Sequence, residues 1–454
     1  MKVLQRLRGN TTAGLADQLV SAGANAATGL LVLPFLPPSH AGAVLFAIGV
    51  GYFAIGIARA LVGDVLLTYS ARYGDTERAR QATDATKTAA AFGLIASVLA
   101  VLAWATGPGF LSELIWLAPF LPFVLVHDAG RYAFLAARRP ARALISDLTY
   151  IGVQAVLLAV LLGAGYRDGA VFLCAWGAGG VAGAFSFLIR SRINVFNIFG
   201  GDLRGWIRET RHLSSWMTAT ALLGQAQVQL VYTLVTGLLA PAALAMLRAA
   251  QYGLLMPAQN LQMAVSSLLV PRMSRLAAEG DVAGMSRLVR KALSATVLCG
   301  LLPVALSPLA GPLLDAILPK YAEAGTIAFP VALQALIYLV QVPFTAALRG
   351  MQRVRSLFVQ YAMFCLAQCA GLVLGTLWFD LRGAASGMAF GSAVGLVVMV
   401  VLYRKALHRL AQTGGTDPDD TPEPDDAPKP DDASGPAVPP TTVADETAGP
   451  APVR

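Results

Sequence analysis

Apolar stretches of membrane-spanning length recur along this chain, and that recurrence limits its fold more than any motif does. A helix needs about 20 apolar residues to cross a bilayer. Stretches on that scale run near 13–34, 41–67, 88–107, 112–135, 143–164 and 170–189, then near 213–239, 241–270, 292–318, 325–347, 356–378 and 383–403. A water-soluble core cannot hide so much apolar surface, since 56% of the residues are apolar, only 13% are charged and the mean hydropathy is +0.61. In lipid, every backbone polar group must be satisfied within the protein, and a helix does this internally. The expected fold is an all-α polytopic membrane protein with about twelve transmembrane helices.

The basic residues test that count independently, because cytoplasmic loops collect Lys and Arg. The N-terminus and the loops or ends at 69–87, 136–142, 190–212, 271–291, 348–355 and 404–409 carry 26 of them, whereas the opposite side carries three, Arg167, Lys320 and Arg382. Both termini are therefore expected in the cytoplasm. The start MKVLQRLRGN is basic, but the apolar run after it contains Asp17, Gln18 and Asn25 and no convincing cleavage site, so the first helix is read as retained. From Gln412 to Arg454, ten acidic residues stand against Lys429 and Arg454 among ten prolines. That composition builds no packed core, and a disordered acidic cytoplasmic tail is expected over 412–454.

Between the sixth and seventh stretches lies RSRINVFNIFGGDLRGWIRETRH, residues 190–212, in which five arginines alternate with Phe196, Phe199 and Trp206. Such a segment suits an anionic headgroup surface as an interfacial linker, and it equally suits an ordinary basic loop. Either way it separates a half at 1–189 from a half at 213–411. At an offset of 214 residues, Arg139 falls on Arg353, Gln154 on Gln368, Gly169 on Gly383, Gly177 on Gly391 and Arg190 on Arg404. Each half also has a long inner loop with a Gly-Asp pair (Gly74-Asp75, Gly280-Asp281) and then a short basic loop (ARRPAR, RGMQRVR). The expected architecture is two pseudo-symmetric six-helix halves around a central cavity, a known route to alternating access.

Several segments carry a family resemblance: ADQLVSAGANAATGLLVLPFL near the start, ALVGDVLL closing the second span, and LRAAQYGLLMPAQNLQMAVSSLLVPRMSRLAAEGD from Leu247 to Asp281. FTAALRGMQRVR and GAASGMAFGSAVGLVV also fit. On these residues the chain resembles the multidrug, oligosaccharidyl-lipid and polysaccharide exporter superfamily (MATE-like), and within it the bacterial polysaccharide flippases. The resemblance covers nearly everything before the tail. The span count is lower than in lipid II flippases, which argues against that subgroup. The resemblance implies a flippase of the bacterial cytoplasmic membrane that moves a polyprenyl-pyrophosphate-linked oligosaccharide, or a related polysaccharide precursor, to the outer leaflet by alternating access. The alternative is a multidrug antiporter of the same superfamily. The implied partners are a lipid-linked glycan and membrane lipids, with a coupling ion, proton or sodium, left open. No nucleic acid and no cofactor are expected.

Charges inside spans are the functional candidates, since each costs roughly 2.5 to 3.5 kcal/mol at a helix centre. At about 1.5 Å per residue, Asp17, Asp64 and Asp147 lie about 6 Å inside the cytoplasmic edge and are able to reach headgroup water. Arg59, Asp128 and Arg131 lie about 8 to 13 Å in, and Arg248 lies about 10 Å below the outer edge. Each of these is either a functional group or part of a structural ion pair. His127 and Asp128 have helical spacing to Arg131, and Arg59 shares the depth of Asp17 and Asp64. The second half offers neutral groups instead: Gln225, Gln227, Gln229, Gln251, Gln259, Asn260 and Gln262. These suit sugar hydroxyls and helix-to-helix hydrogen bonds equally.

Arginines in a cavity suit pyrophosphate, whereas cationic drugs call for unpaired carboxylates. Pro257 follows Arg248 by nine residues in one span, where a kink would turn the arginine inward. Catalysis is not expected. The outer loops are short, His40, His127, His212 and His408 are scattered, and no glycine loop precedes a soluble helix to cradle phosphate. Cys174, Cys299, Cys365 and Cys369 lie in apolar spans without ligand spacing, so neither a disulfide nor a metal site is expected.

Overall fold

The computed structural model describes residues 23, 27–63, 65–66, 75–137, 139–191, 222–351 and 353–413. Asp17, Asp64, nearly all of the 190–212 linker and nearly all of the acidic tail lie outside the described residues. Within them the first half comprises α1 (27–35), α2 (Pro38–Ala58, continued by a π turn at Arg59–Gly63) and α3 (Asp75–Thr106). It is completed by α4 (Leu121–Ala136), α5 (Pro140–Gly163) and α6 (Gly169–Ser191). The second half comprises α7 (222–238), α8 (Pro241–Ala278), α9 (Val282–Leu306), α10 (Ala328–Gly350) and one long element, Val354–Thr413. That last element reverses at Phe379–Asp380 and so counts as two helices, α11 before the reversal and α12 after it. Apart from the short helices Leu114–Leu117 and Ala310–Ile317, six helices on each side of the linker are therefore present among the described residues, and the chain is an all-α multi-pass membrane protein.

Local chemistry accounts for the boundaries. Proline occupies the first turn of α2, α5 and α8, where its missing N–H costs nothing. The second Gly-Asp pair is a helix start: Gly280 takes φ +66°, and the Asp281 carboxylate accepts from Gly284 N at 2.7 Å, capping α9. At the α11–α12 reversal, Asp380 adopts φ +50°. Below it Gly375 faces Gly383 and Gly371 faces Gly387, with each Cα against the opposing backbone carbonyl, so a Cβ at any of them would collide.

Burial separates lipid-facing helices from interior ones. Leu94, Ile95, Val98, Leu99 and Leu102 on α3, and Leu298 and Leu302 on α9, are exposed apolar rows that only a bilayer can cover. By contrast, 78% of the most apolar window of α2 is buried, against 11% for that of α9. The interior position of α2 follows from its glycines. Gly42 abuts the Pro241 carbonyl, Gly49 the Tyr232 ring and Gly56 the Gln225 side chain, so one glycine face of α2 lies antiparallel along α7 and the start of α8. This face joins the two halves. Tyr321 closes the same end, donating its hydroxyl to the Leu36 carbonyl at 3.1 Å while fully buried.

Corresponding helices of the two halves make corresponding contacts. Gln154 on α5 donates to Thr28 on α1 at 2.9 Å, and Gln368 on α11 pairs with Gln227 on α7. These are the two glutamines that the 214-residue offset superposes.

Candidate functional site

In the first half, the inner end of α2 meets α4 through charge. Arg59 opens the π turn, and its own N–H is shared between the Gly56 and Ile55 carbonyls. Its guanidinium grips Asp128: Nε donates to Oδ1 and Oδ2 at 3.1 and 3.0 Å, and Nη2 donates to Oδ1 at 2.7 Å. The Tyr132 ring lies 6.0 Å from the same guanidinium.

Deeper in the helix bundle, Asp147 on α5 serves two partners on α4. Arg131 Nε lies 3.3 Å from its Oδ2, and His127 Nε2 lies 3.4 Å from its Oδ1. The Arg131 and Asp147 side chains are only 5% and 4% exposed. His127 stacks on Tyr150 at 5.2 Å, and its Nδ1 faces the Ser146 hydroxyl, which donates to the Gly183 carbonyl at 3.0 Å. These groups, with Tyr52 and Trp176, enclose a cavity of about 40 Å³. The Trp176 indole N–H is enclosed beside Tyr150.

Helical spacing along α4 thus foretells the cluster, but the partners come from other helices. Asp128 is held by Arg59 of α2, and Arg131 by Asp147 of α5. Arg59 is consequently an engaged cation rather than an open one.

Arg248 on α8 is placed differently. Its Nη2 donates to the Tyr252 hydroxyl at 2.7 Å, and its guanidinium lies 4.4 Å from the Tyr252 ring and 5.1 Å from the Tyr232 ring. Its Nε is enclosed with no acceptor. No carboxylate among the described residues pairs with it. Helix α8 is continuous through Pro257. The Arg248 guanidinium is held by tyrosines on α7 and one turn further along α8.

Arg248 stands between two cavities. One, of about 200 Å³, lies within the second half and is lined by Gln227, Gln251, Gln259, Gln334, Tyr338 and Gln368, among others. The other, of about 90 Å³, lies between α2 and α7 and is lined by Gln225, Gln229, Tyr52 and Tyr232. Tyr52 also borders the first-half cavity, so polar space crosses the molecule in three compartments. Both ends of the Gln229 amide are buried there without a partner. Asn260 lies exposed on α8, and neither it nor Gln262 borders these cavities.

Sequence reasoning passed over Tyr52, Tyr232, Tyr252, Trp176 and Gln334 as site residues. The glutamine carried a usable signal, a neutral polar residue inside an apolar stretch. The aromatics carried none, because a tyrosine in a span is ordinary until a cation is found beside it.

Two six-helix bundles meeting along interior helices, with a polar compartment in each and one between them, are an arrangement that alternating-access transporters use. The fold is shared with solved transporters of the MOP superfamily. An inward-facing multidrug resistance MATE family transporter of that superfamily matches with a TM-score of 0.71 at 12% identity, over 86% of this chain and 95% of its own. The lipid II flippase MurJ in an inward closed conformation matches at 0.68 and 14% identity, over 89% and 90%. The eukaryotic MATE transporter AtDTX14 matches at 0.59 and 14% identity, over 90% and 99%. No protein-family model and no curated protein sequence matches the chain.

Proposed function

We propose that this protein is a flippase of the bacterial cytoplasmic membrane. It moves a polyprenyl-pyrophosphate-linked oligosaccharide, or a related polysaccharide precursor, from the cytoplasmic to the outer leaflet. The observation that carries this reading is Arg248: a cation between two cavities, held by tyrosine faces, with Nε unused and no carboxylate among the described residues paired with it. Such a cation is prepared for an anionic group, and the planar fork of arginine suits a phosphate bidentately. A carrier of cationic drugs needs the opposite arrangement, and the carboxylates Asp128 and Asp147 are already engaged by arginines. The 26-to-3 distribution of basic residues supports cytoplasmic termini.

Reconstituted vesicles test the reading. The full-length protein should equilibrate a fluorescent prenyl-pyrophosphate-linked sugar between leaflets, with orientation read by an impermeant thiol reagent on a cysteine placed at Asp168 or Arg139. Uptake of a cationic dye with no movement of the lipid-linked sugar would replace this reading with the multidrug antiporter.

A further inference from the structure

The second-half cavity has a composition that an anion site alone does not require. Five of its side chains are glutamines, Gln227, Gln251, Gln259, Gln334 and Gln368, and Arg248 is its one charged residue among the described residues. Some amide capacity is used internally. Gln227 donates to Gln368 and accepts from the Tyr361 hydroxyl, and Gln334 donates to Ser392 at 3.4 Å. Two groups are left over, since Gln251 and Gln259 make no hydrogen bond to any described residue. Gln368, only 1% exposed, lies against Tyr338 in the same wall.

Amides and hydroxyls match each other because each both donates and accepts, so a wall of amides satisfies hydroxyl groups in whichever sense they point. A charged ring fits worse. An ammonium would meet no carboxylate, and a second carboxylate would compete with phosphate for the single arginine. Size narrows the occupant further. At about 200 Å³ the cavity is below the range of roughly 300 Å³ and upward that holds drug-sized ligands, and it has room for one sugar ring.

We infer that this cavity is a specificity site that receives one uncharged, hydroxyl-rich ring of the cargo. Gln251 and Gln259 read its hydroxyls while Arg248 holds the phosphate. The inference rests on the proposed lipid-linked cargo, which supplies that phosphate.

Binding to the full-length protein in nanodiscs separates the two. The probes are a short-chain prenyl pyrophosphate, the same carrier bearing a neutral hexose, and the carrier bearing a uronic acid. The neutral hexosyl carrier should bind about tenfold more tightly than the bare carrier, as expected for one or two added hydrogen bonds, and the uronosyl carrier should show no such gain. In Gln251→Leu the ratio of hexosyl to bare affinity should fall toward one, a readout that general damage to the protein does not imitate. Gln259→Leu, at a half-buried position, gives the same test should the first variant fail to insert. Equal affinities for bare and hexosyl carriers in the wild type would overturn this inference and leave the flippase reading standing, as would a tenfold ratio retained by both variants. No binding of any pyrophosphate carrier would remove the flippase reading itself.

Discussion

The cavities of the two halves are built on corresponding helices but with different chemistry. In the first half, α2, α4 and α5 bring two arginines, two aspartates and a histidine together around about 40 Å³. In the second, α8, α10 and α11 surround about 200 Å³ with amides, tyrosines and one arginine. The same 214-residue offset sets His127 against Gln341 and Asp147 against Tyr361. Gln341 donates to the Ser392 carbonyl at 3.2 Å, and Tyr361 bonds Gln227. Where the first half closes on itself through ion pairs, the second makes neutral bonds at its rim and leaves a cation open. Charge in a membrane span therefore does not by itself mark a binding site, since in the first half it is spent on ion pairs.

Removing Asp147 should have the largest effect on stability, because it takes the carboxylate at 3.3 Å away from the Nε of a nearly fully buried Arg131. Asp147→Leu is expected to cost roughly 3 to 5 kcal/mol, seen as a large fall in melting temperature and membrane abundance, and Arg131→Met in the same chain should recover most of it. A stable Asp147→Leu protein that no longer transports would erase the distinction between the halves.

Arg248 should behave in the opposite way. Arg248→Met removes an enclosed Nε without a partner, so the melting temperature should hold or rise by about 1 kcal/mol equivalent while lipid-linked sugar movement is lost. Arg248→Lys should keep part of that activity, because it retains charge without the planar fork. A loss of stability as large as that of Asp147→Leu would make Arg248 a structural residue.

The smallest effect tests the repeat itself. Gln154→Leu removes the bond from α5 to Thr28 and should cost about 1 kcal/mol with transport retained. Its counterpart Gln368→Leu, which borders the open cavity, should impair transport at a comparable change in melting temperature. Equal transport by both variants would show that the second cavity is no more functional than the first.

Much of this protein was legible in one dimension. Membrane-spanning length, the alternation of basic loops and the offset repeat are local or periodic properties, because each helix satisfies its own backbone in lipid and so announces itself by length alone. The candidates Arg59, Asp128, Arg131, Asp147 and Arg248 were visible for a related reason: a charge in a span is costly wherever its partner is. Which of them are paired is a matter of tertiary structure. Arg59 and Asp128 are 69 residues apart and joined at 2.7 Å, a distance set by how α2 seats against α4. Hydropathy weighs each helix separately and cannot see that placement. Only the packing decided that Arg59 is answered by a carboxylate and Arg248 by two tyrosines, and with it which half has a vacant cation to offer.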